Sequence, residues 1–296
     1  MRTLPKPVGR QKEVLCLPAQ GHTVVLGTAG SGKTTLAVHR ALYLADPETD
    51  HAGRTLLVTF NRCLVTYLKG LAGAMPEGVE VRNYHAYARG YLGHRGRMRW
   101  NCIATPELQH SWVSRAVSEA RADSISSAML DRPIGFLVDE MCWLAQHGIT
   151  SAADYVEADR VNRAGTRVLR ADRPAMFDLY ERYKTIRSAN DRDYDWDDLS
   201  HAVLEELNKD EAPRYYRHVV IDEGQDLSPM ILRSLAATIP QDGSLTFFGD
   251  MAQQIYGHKM SWRNAGLKVD AVWRFEENYR NSRQIAQLAL AIAAMP

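Results

Sequence analysis

Cysteine is scarce. The 296-residue chain has 4, at Cys16, Cys63, Cys102 and Cys142, and no two of them form a CxxC pair. That excludes a zinc ribbon and a dithiol redox motif, and scattered single cysteines read as small buried hydrophobes in a reducing compartment. Long apolar runs are also missing. None approaches the ~18 residues of a membrane span. The opening MRTLPKPVGRQKE has no apolar signal-peptide core, so the sequence predicts a cytoplasmic protein. Neither sign of charge is in excess, since 36 Lys and Arg face 35 Asp and Glu. A wholly basic, histone-like binder is therefore excluded, although a local basic stripe can still meet nucleic acid. With 45% apolar and 24% charged residues the composition is that of a globular chain. Disorder and a staple-dependent mini-protein are both excluded. Internal repeats and low-complexity linkers are absent too.

What the sequence does have is two stretches of α/β pattern. Apolar, β-branched runs at 22–27, 55–60, 79–83, 217–222 and 244–248 are followed by helix-like segments. They are apolar throughout rather than alternating, as in a parallel sheet covered by helices on both faces. Between about 90 and 192 the pattern changes to helices, at 106–121, 134–147 and 174–188. The reading is an α/β domain in two segments, 1–89 and 193–280, with a mainly helical inserted subdomain at 90–192. The last stretch, 281–296, reads as the start of a helix belonging to something further on.

Residues Gly27-Thr28-Ala29-Gly30-Ser31-Gly32-Lys33-Thr34, with Thr35 next, spell GxxxxGK[ST] between an apolar strand and a helical run. This context is what a phosphate-binding P-loop requires. Glycines let backbone N–H groups form a nest, and the helix N-terminus adds partial positive charge. Lys33 can reach β- and γ-phosphates, and Thr34 can ligate Mg²⁺. A second element answers it. Val219-Val220-Ile221 leads into Asp222-Glu223, where Asp222 can hold the metal shell and Glu223 can orient or deprotonate a water. Together they indicate a nucleoside triphosphatase using Mg²⁺.

The sequence around these residues resembles the UvrD/Rep-like superfamily 1 DNA helicases. Residues 222–226, DEGQD, are similar to the family's DExQD motif, and further stretches follow in the family's order. Gln11, 16 residues before Gly27, resembles its adenine-reading glutamine. Thr59-Phe60-Asn61 resembles TF-N on the DNA path, and His85 the histidine of TFH. Residues 194–199 resemble DFDDLL, Gly249 to Gln253 resemble GDxxQ with Ile255-Tyr256 following, and Asn278-Tyr279-Arg280 resembles NYR. The resemblance covers about 190 residues, all outside the helical insertion. It implies a RecA-like P-loop NTPase domain. Tyr279 would stack on the base, Gln253 would sense the γ-phosphate, and Arg280 would approach it as a fixed cation. It also implies an ATP-driven motor moving 3′-to-5′ on single-stranded DNA or at a single-strand/duplex junction. Phe60, Tyr256 and Trp262 match its base-stacking positions.

Three features depart from the pattern. Asn83-Tyr84-His85 stands where the family has Thr-Phe-His, and HKMS separates Gly257 from Trp262-Arg263. The family also needs a second RecA-like domain after NYR, so the expectation is an N-terminal portion whose missing partner is the C-terminal motor domain. Such a portion should bind ATP-Mg²⁺ and DNA without unwinding alone. Other meanings stay open. Phe60 can be core packing, and His85 a satisfied core histidine. The arginine-rich stretches 89–100 and 160–170 are either phosphate contacts or solvated charged faces. Trp112, Trp143 and Trp196 are assigned to core. The alternative function is a DNA-responsive ATPase switch in a repair or defence complex that does not unwind. Intact Lys33, Thr34, Asp222, Glu223 and Gln253 argue against an adaptor with a dead nucleotide site.

Overall fold

The computed structural model describes residues 4–28, 30–59, 65–66, 76–160, 167–250, 262–275 and 284. Its first compact unit comprises residues 1–84, 211–227 and 235–296. In chain order this unit has α1 (Gln11–Leu15), β1 (Gly21–Gly27), α2 (Lys33–Leu44), β2 (Thr55–Thr59) and β3 (Val79–Asn83). After the second unit come β4 (His218–Asp222), β5 (Ser244–Asp250) and β6 (Val269–Phe275). The strands form one six-stranded sheet in the order β3-β2-β4-β5-β1-β6, and every pairing is parallel.

Both faces of the central strands are covered, which is why β2 and β4 read as unbroken apolar runs. One face packs against α2. Leu57, Val220, Val25, Phe248, Val79 and Val81 share a core with Leu36, Ala37, Val38, Ala41 and Leu44. At the sheet's edge, β6 departs from the sequence expectation, which contained no strand there. Its VDAVWRF carries Asp270 and Arg274 among the apolar residues, and Val272 is exposed. An edge strand with one open side needs no continuous apolar run.

Arg40 of α2 is fully buried, and its guanidinium donates to the Leu15 carbonyl at 2.6 Å and the Pro18 carbonyl at 2.7 Å. Burial pulls its pKa down to about 10, so it stays charged at neutral pH and is satisfied by carbonyl dipoles rather than by a carboxylate. This clamp ties the end of α1 to the helix that follows the phosphate loop.

The second compact unit comprises residues 85–210 and 228–234. That is longer at both ends than the 90–192 read from helical patterns. It contains α3 (Tyr84–His94), α4 (Pro106–Ala122), α5 (Ile134–His147), α6 (Ala152–Glu157), α7 (Arg173–Ala189) and α8 (Leu199–Lys209). Local chemistry sets several ends. Thr105 caps α4, with Pro106 as its first residue, and Ser151 caps α6 by accepting from the Asp154 N–H at 3.0 Å. Val113, Val117, Leu137, Met141, Leu144, Tyr155, Met176 and Tyr183 make its core. Trp143 is buried in that core, while Trp112 packs partly buried against it. Two ion networks are buried alongside: Arg160 on Glu140 at 2.6 Å, and Arg187 on both Asp195 and Asp198 at 2.6 Å. The Asp-rich segment 194–199 thus anchors α7 and the start of α8. The helix α9 (Pro229–Ala237) begins in the second unit and ends in the first.

Candidate functional site

The carboxyl ends of β1, β4 and β5 bring the phosphate-binding signature together. Parallel α/β sheets bind ligands at this edge. β5 lies between β1 and β4, so the phosphate loop and Asp222 stand two strands apart. Gly30 and Gly32 both have φ of +85°, a backbone that L-residues with side chains rarely adopt. The helix α2 begins directly at Lys33. Its ammonium donates to the carbonyls of Gly27 at 3.0 Å and Thr28 at 2.9 Å, and sits 3.5 Å from the Asp250 carboxylate. Gln11 is buried against the same loop. Its Nε2 donates to the Ser31 carbonyl at 3.1 Å, and its Oε1 accepts from the Val8 N–H at 3.1 Å. Each end of the amide keeps one further bonding direction. Ser31 is buried and Thr34 and Thr35 are half-buried.

Asp222 ends β4 with no exposure, and neither carboxylate oxygen has a hydrogen-bond partner among the described residues. Burial, then the neighbouring Glu223 charge, pushes its pKa up to about 7. The Thr34 hydroxyl, the Glu223 N–H and Lys33 pull the other way, but none closes a hydrogen bond of normal geometry on those oxygens. A buried carboxylate with open lone pairs beside a threonine hydroxyl fits a divalent cation. Among the described residues no cluster of three or more His, Cys, Asp or Glu side chains could hold a metal by protein groups alone.

Glu223 sits in the left-handed region, φ +52° and ψ +44°, at the entry to the short 3₁₀ turn Gly224–Asp226. Gln225, to which the sequence reading gave no separate role, fixes it. Its Nε2 donates to Glu223 Oε2 at 2.7 Å, while its Oε1 accepts from the Asp250 N–H at 3.1 Å. One amide therefore joins the ends of β4 and β5. The signal was the glutamine two residues beyond Glu223, legible as a motif letter but not as a bridge.

The residues expected on the nucleic-acid track are placed differently from one another. Thr59 ends β2 fully buried, in register with Asp222 of β4. Trp262 is half-buried and packs edge-on against Phe247, with ring centroids 5.0 Å apart. In the helical unit His85 lies edge-on to the half-buried Trp196 at 5.1 Å. Ala29, Phe60, Asn61, Gln253, Tyr256, Tyr279 and Arg280 lie outside the described residues, as does 285–296. In the arginine-rich stretch 89–100, Arg95 pairs with Glu206 and Asp210, Arg97 with Glu206, and Arg99 with Asp193 at 2.8 Å. Trp100 beside them is 96% exposed. In the stretch 160–170, Arg160 is taken up by Glu140.

A parallel sheet with this loop after β1 and a buried aspartate at the end of β4 is the P-loop nucleotide-binding class of α/β domain. The chain belongs to the UvrD/REP helicase family: residues 9–271 match the family's N-terminal helicase domain. It is similar to the ATP-dependent DNA helicase UvrD2 of Mycobacterium tuberculosis, with 28% identity over 311 residues, covering 96% of this chain and 43% of that protein. It is also similar to the putative ATP-dependent DNA helicase YjcD of Bacillus subtilis, at 24% identity over 90% of this chain and 34% of the relative. The ATP-dependent DNA helicase srs2 of Schizosaccharomyces pombe shares 23% over 92% and 33% respectively. The chain thus spans less than half the length of these relatives.

Proposed function

We propose that this chain supplies the nucleotide-binding body of an ATP-dependent DNA helicase that moves 3′-to-5′ along single-stranded DNA. The observation that supports it most is the convergence of Lys33, Asp222 and Glu223 at one sheet edge, with Asp222 buried and open to a cation. Lys33 offsets charge on the β- and γ-phosphates, exchanging its carbonyl partners and Asp250 for phosphate oxygens. The loop N–H groups around Gly30 and Gly32 cradle the phosphates, and Gln11 uses its free amide directions on adenine. Thr34 and Asp222 would hold Mg²⁺, which when bound would offset negative charge on the phosphates. Glu223, held by Gln225, accepts a proton from the attacking water.

Stepping along DNA needs two bodies that open and close around nucleotide. Residues 1–296 on their own are therefore expected to bind nucleotide and not to separate strands. In protein carrying the whole of this chain, Lys33→Ala should weaken ATP binding. Glu223→Gln should bind ATP within about twofold of wild type and lose on the order of 100-fold or more in hydrolysis. Wild-type turnover by Glu223→Gln would remove Glu223 from the chemistry.

A further inference from the structure

The sequence places Thr59 on the DNA path, and in the sheet it is the register partner of Asp222. Leu57 of β2 is likewise the partner of Val220 of β4. Side chains two residues apart on a strand share a face. Leu57 and Val220 both pack into the core under α2. Thr59 and Asp222 therefore project on that same face, adjacent across a strand spacing of ~4.8 Å. Lys33 and Thr34 approach the sheet edge from that side as the first residues of α2.

Both side chains are completely buried, and both are unsatisfied. Thr59 Oγ1, Asp222 Oδ1 and Asp222 Oδ2 each lack a hydrogen-bond partner among the described residues. An isolated buried hydroxyl is a stability cost that a valine at the same position avoids. A hydroxyl next to a carboxylate that takes a cation has a use, because groups behind a metal ligand orient it and raise its affinity.

We infer that Thr59 is a positioning residue of the Mg²⁺ site. The two groups do not bond each other in this structure; with a cation on Asp222, the Thr59 hydroxyl would turn to donate to the carboxylate and hold its aim. The inference rests on the reading of Asp222 as the cation's carboxylate given above. It removes Thr59 from the nucleic-acid track.

The test is equilibrium binding of a fluorescent ATP analogue to the chain as Mg²⁺ is titrated, for wild type, Thr59→Val and Thr59→Ser, with thermal melting in EDTA alongside. Thr59→Val is expected to move the Mg²⁺ midpoint up about tenfold. Its analogue affinity in EDTA should match wild type, and its melting temperature without metal should be equal or higher. Thr59→Ser keeps the hydroxyl and should stay within about twofold of wild type, which separates the donor from the shape of the side chain. An unchanged Mg²⁺ midpoint in Thr59→Val overturns the inference. So does a loss of single-stranded DNA affinity with the midpoint unchanged, which would return Thr59 to the DNA path. A loss of analogue affinity in EDTA equal to that with Mg²⁺ also overturns it. If wild type itself shows no Mg²⁺ dependence, the reading of Asp222 fails first and takes this inference with it.

Discussion

Gly224 sits between the proposed base and the glutamine that holds it, and a ring decides its identity. A Cβ there would come within 2.2 Å of Phe247 Cε2. Phe247 has no exposure and carries Trp262 edge-on at 5.0 Å, so it has no direction in which to yield. Gly224→Ala is therefore expected to destabilise the fold by about 1–3 kcal/mol through overpacking. Chemical denaturation measures it, and a change below about 0.5 kcal/mol would mean that the ring moves freely. The letters of the candidate site were visible in the sequence as motifs: Lys33 and Thr34 open α2 after β1, and Asp222 and Glu223 stand at the end of β4. Their bracing was not. That Gln225 spans Glu223 and Asp250, and that Thr59 is the register partner of Asp222, depends on which strands are neighbours, which no local pattern states. Trp262 was expected on the DNA path because it matches a family position, and its half-buried ring packs edge-on against Phe247.

β2, β4 and β5 are buried almost throughout, which leaves an apolar run in the sequence, whereas the edge strand β3 was read although it alternates buried and half-buried residues. Expected runs at 79–83 and 244–248 correspond to β3 at Val79–Asn83 and β5 at Ser244–Asp250. β6 was not among the runs expected from the sequence; Asp270 and Arg274 interrupt its apolar residues. β4 also has a polar anchor that its apolar run conceals. His218 is fully buried, with Nδ1 2.8 Å from Ser244 Oγ of β5 and Nε2 2.8 Å from the His51 carbonyl. The carbonyl can only accept, so Nε2 carries the proton and Nδ1 accepts from the serine. Burial, above all, lowers its pKa to about 4. The unfolded chain, with His near 6.5, then binds more protons than the fold across the window from about 4 to 6.5. Stability from this residue rises with pH through that window and is complete above it. Asp198 and Asp222, each pushed up to about 7 by burial, bend the total curve the other way. The measure is accordingly the difference between wild type and His218→Gln in denaturant unfolding at a series of pH values. That difference should change by on the order of 2 kcal/mol between pH ~4 and pH ~7. A constant offset would show that His218 titrates normally.

For the whole molecule, the two units have separate apolar cores, one between the sheet and α2 and the other among α4 to α7. The chain leaves the sheet after β3 and returns for β4, so the first unit closes over a long excursion and the second takes back residues 228–234. Those limits differ from the sequence reading, which left α8 to the α/β domain although Leu199, Val203 and Leu207 line one buried face of it. The fate of the arginines in 89–100 was not legible in the sequence. Their partners Asp193, Glu206 and Asp210 lie about 100 residues on, so a stretch that is basic in sequence is charge-balanced in space. Nucleotide touches only the first unit in the proposed site, and ligand stabilisation acts on the structure whose opening destroys the site. With a non-hydrolysable ATP analogue and Mg²⁺ at about 100 times Kd, the opening free energy of that structure should rise by about 2.7 kcal/mol. Hydrogen exchange followed by mass spectrometry resolves where that appears. Slower exchange is expected in β1, the Gly30–Thr34 loop, α2, β4 and the Gly224–Asp226 turn. Peptides from the core of α4, α5 and α7 should exchange as they do without ligand, because their openings leave the phosphate loop intact. Lys33→Ala should abolish the protection in the first set and leave the second untouched. Equal protection in both units would mean that the two cores open as one cooperative body, and the division into separately stabilised units would have to be abandoned.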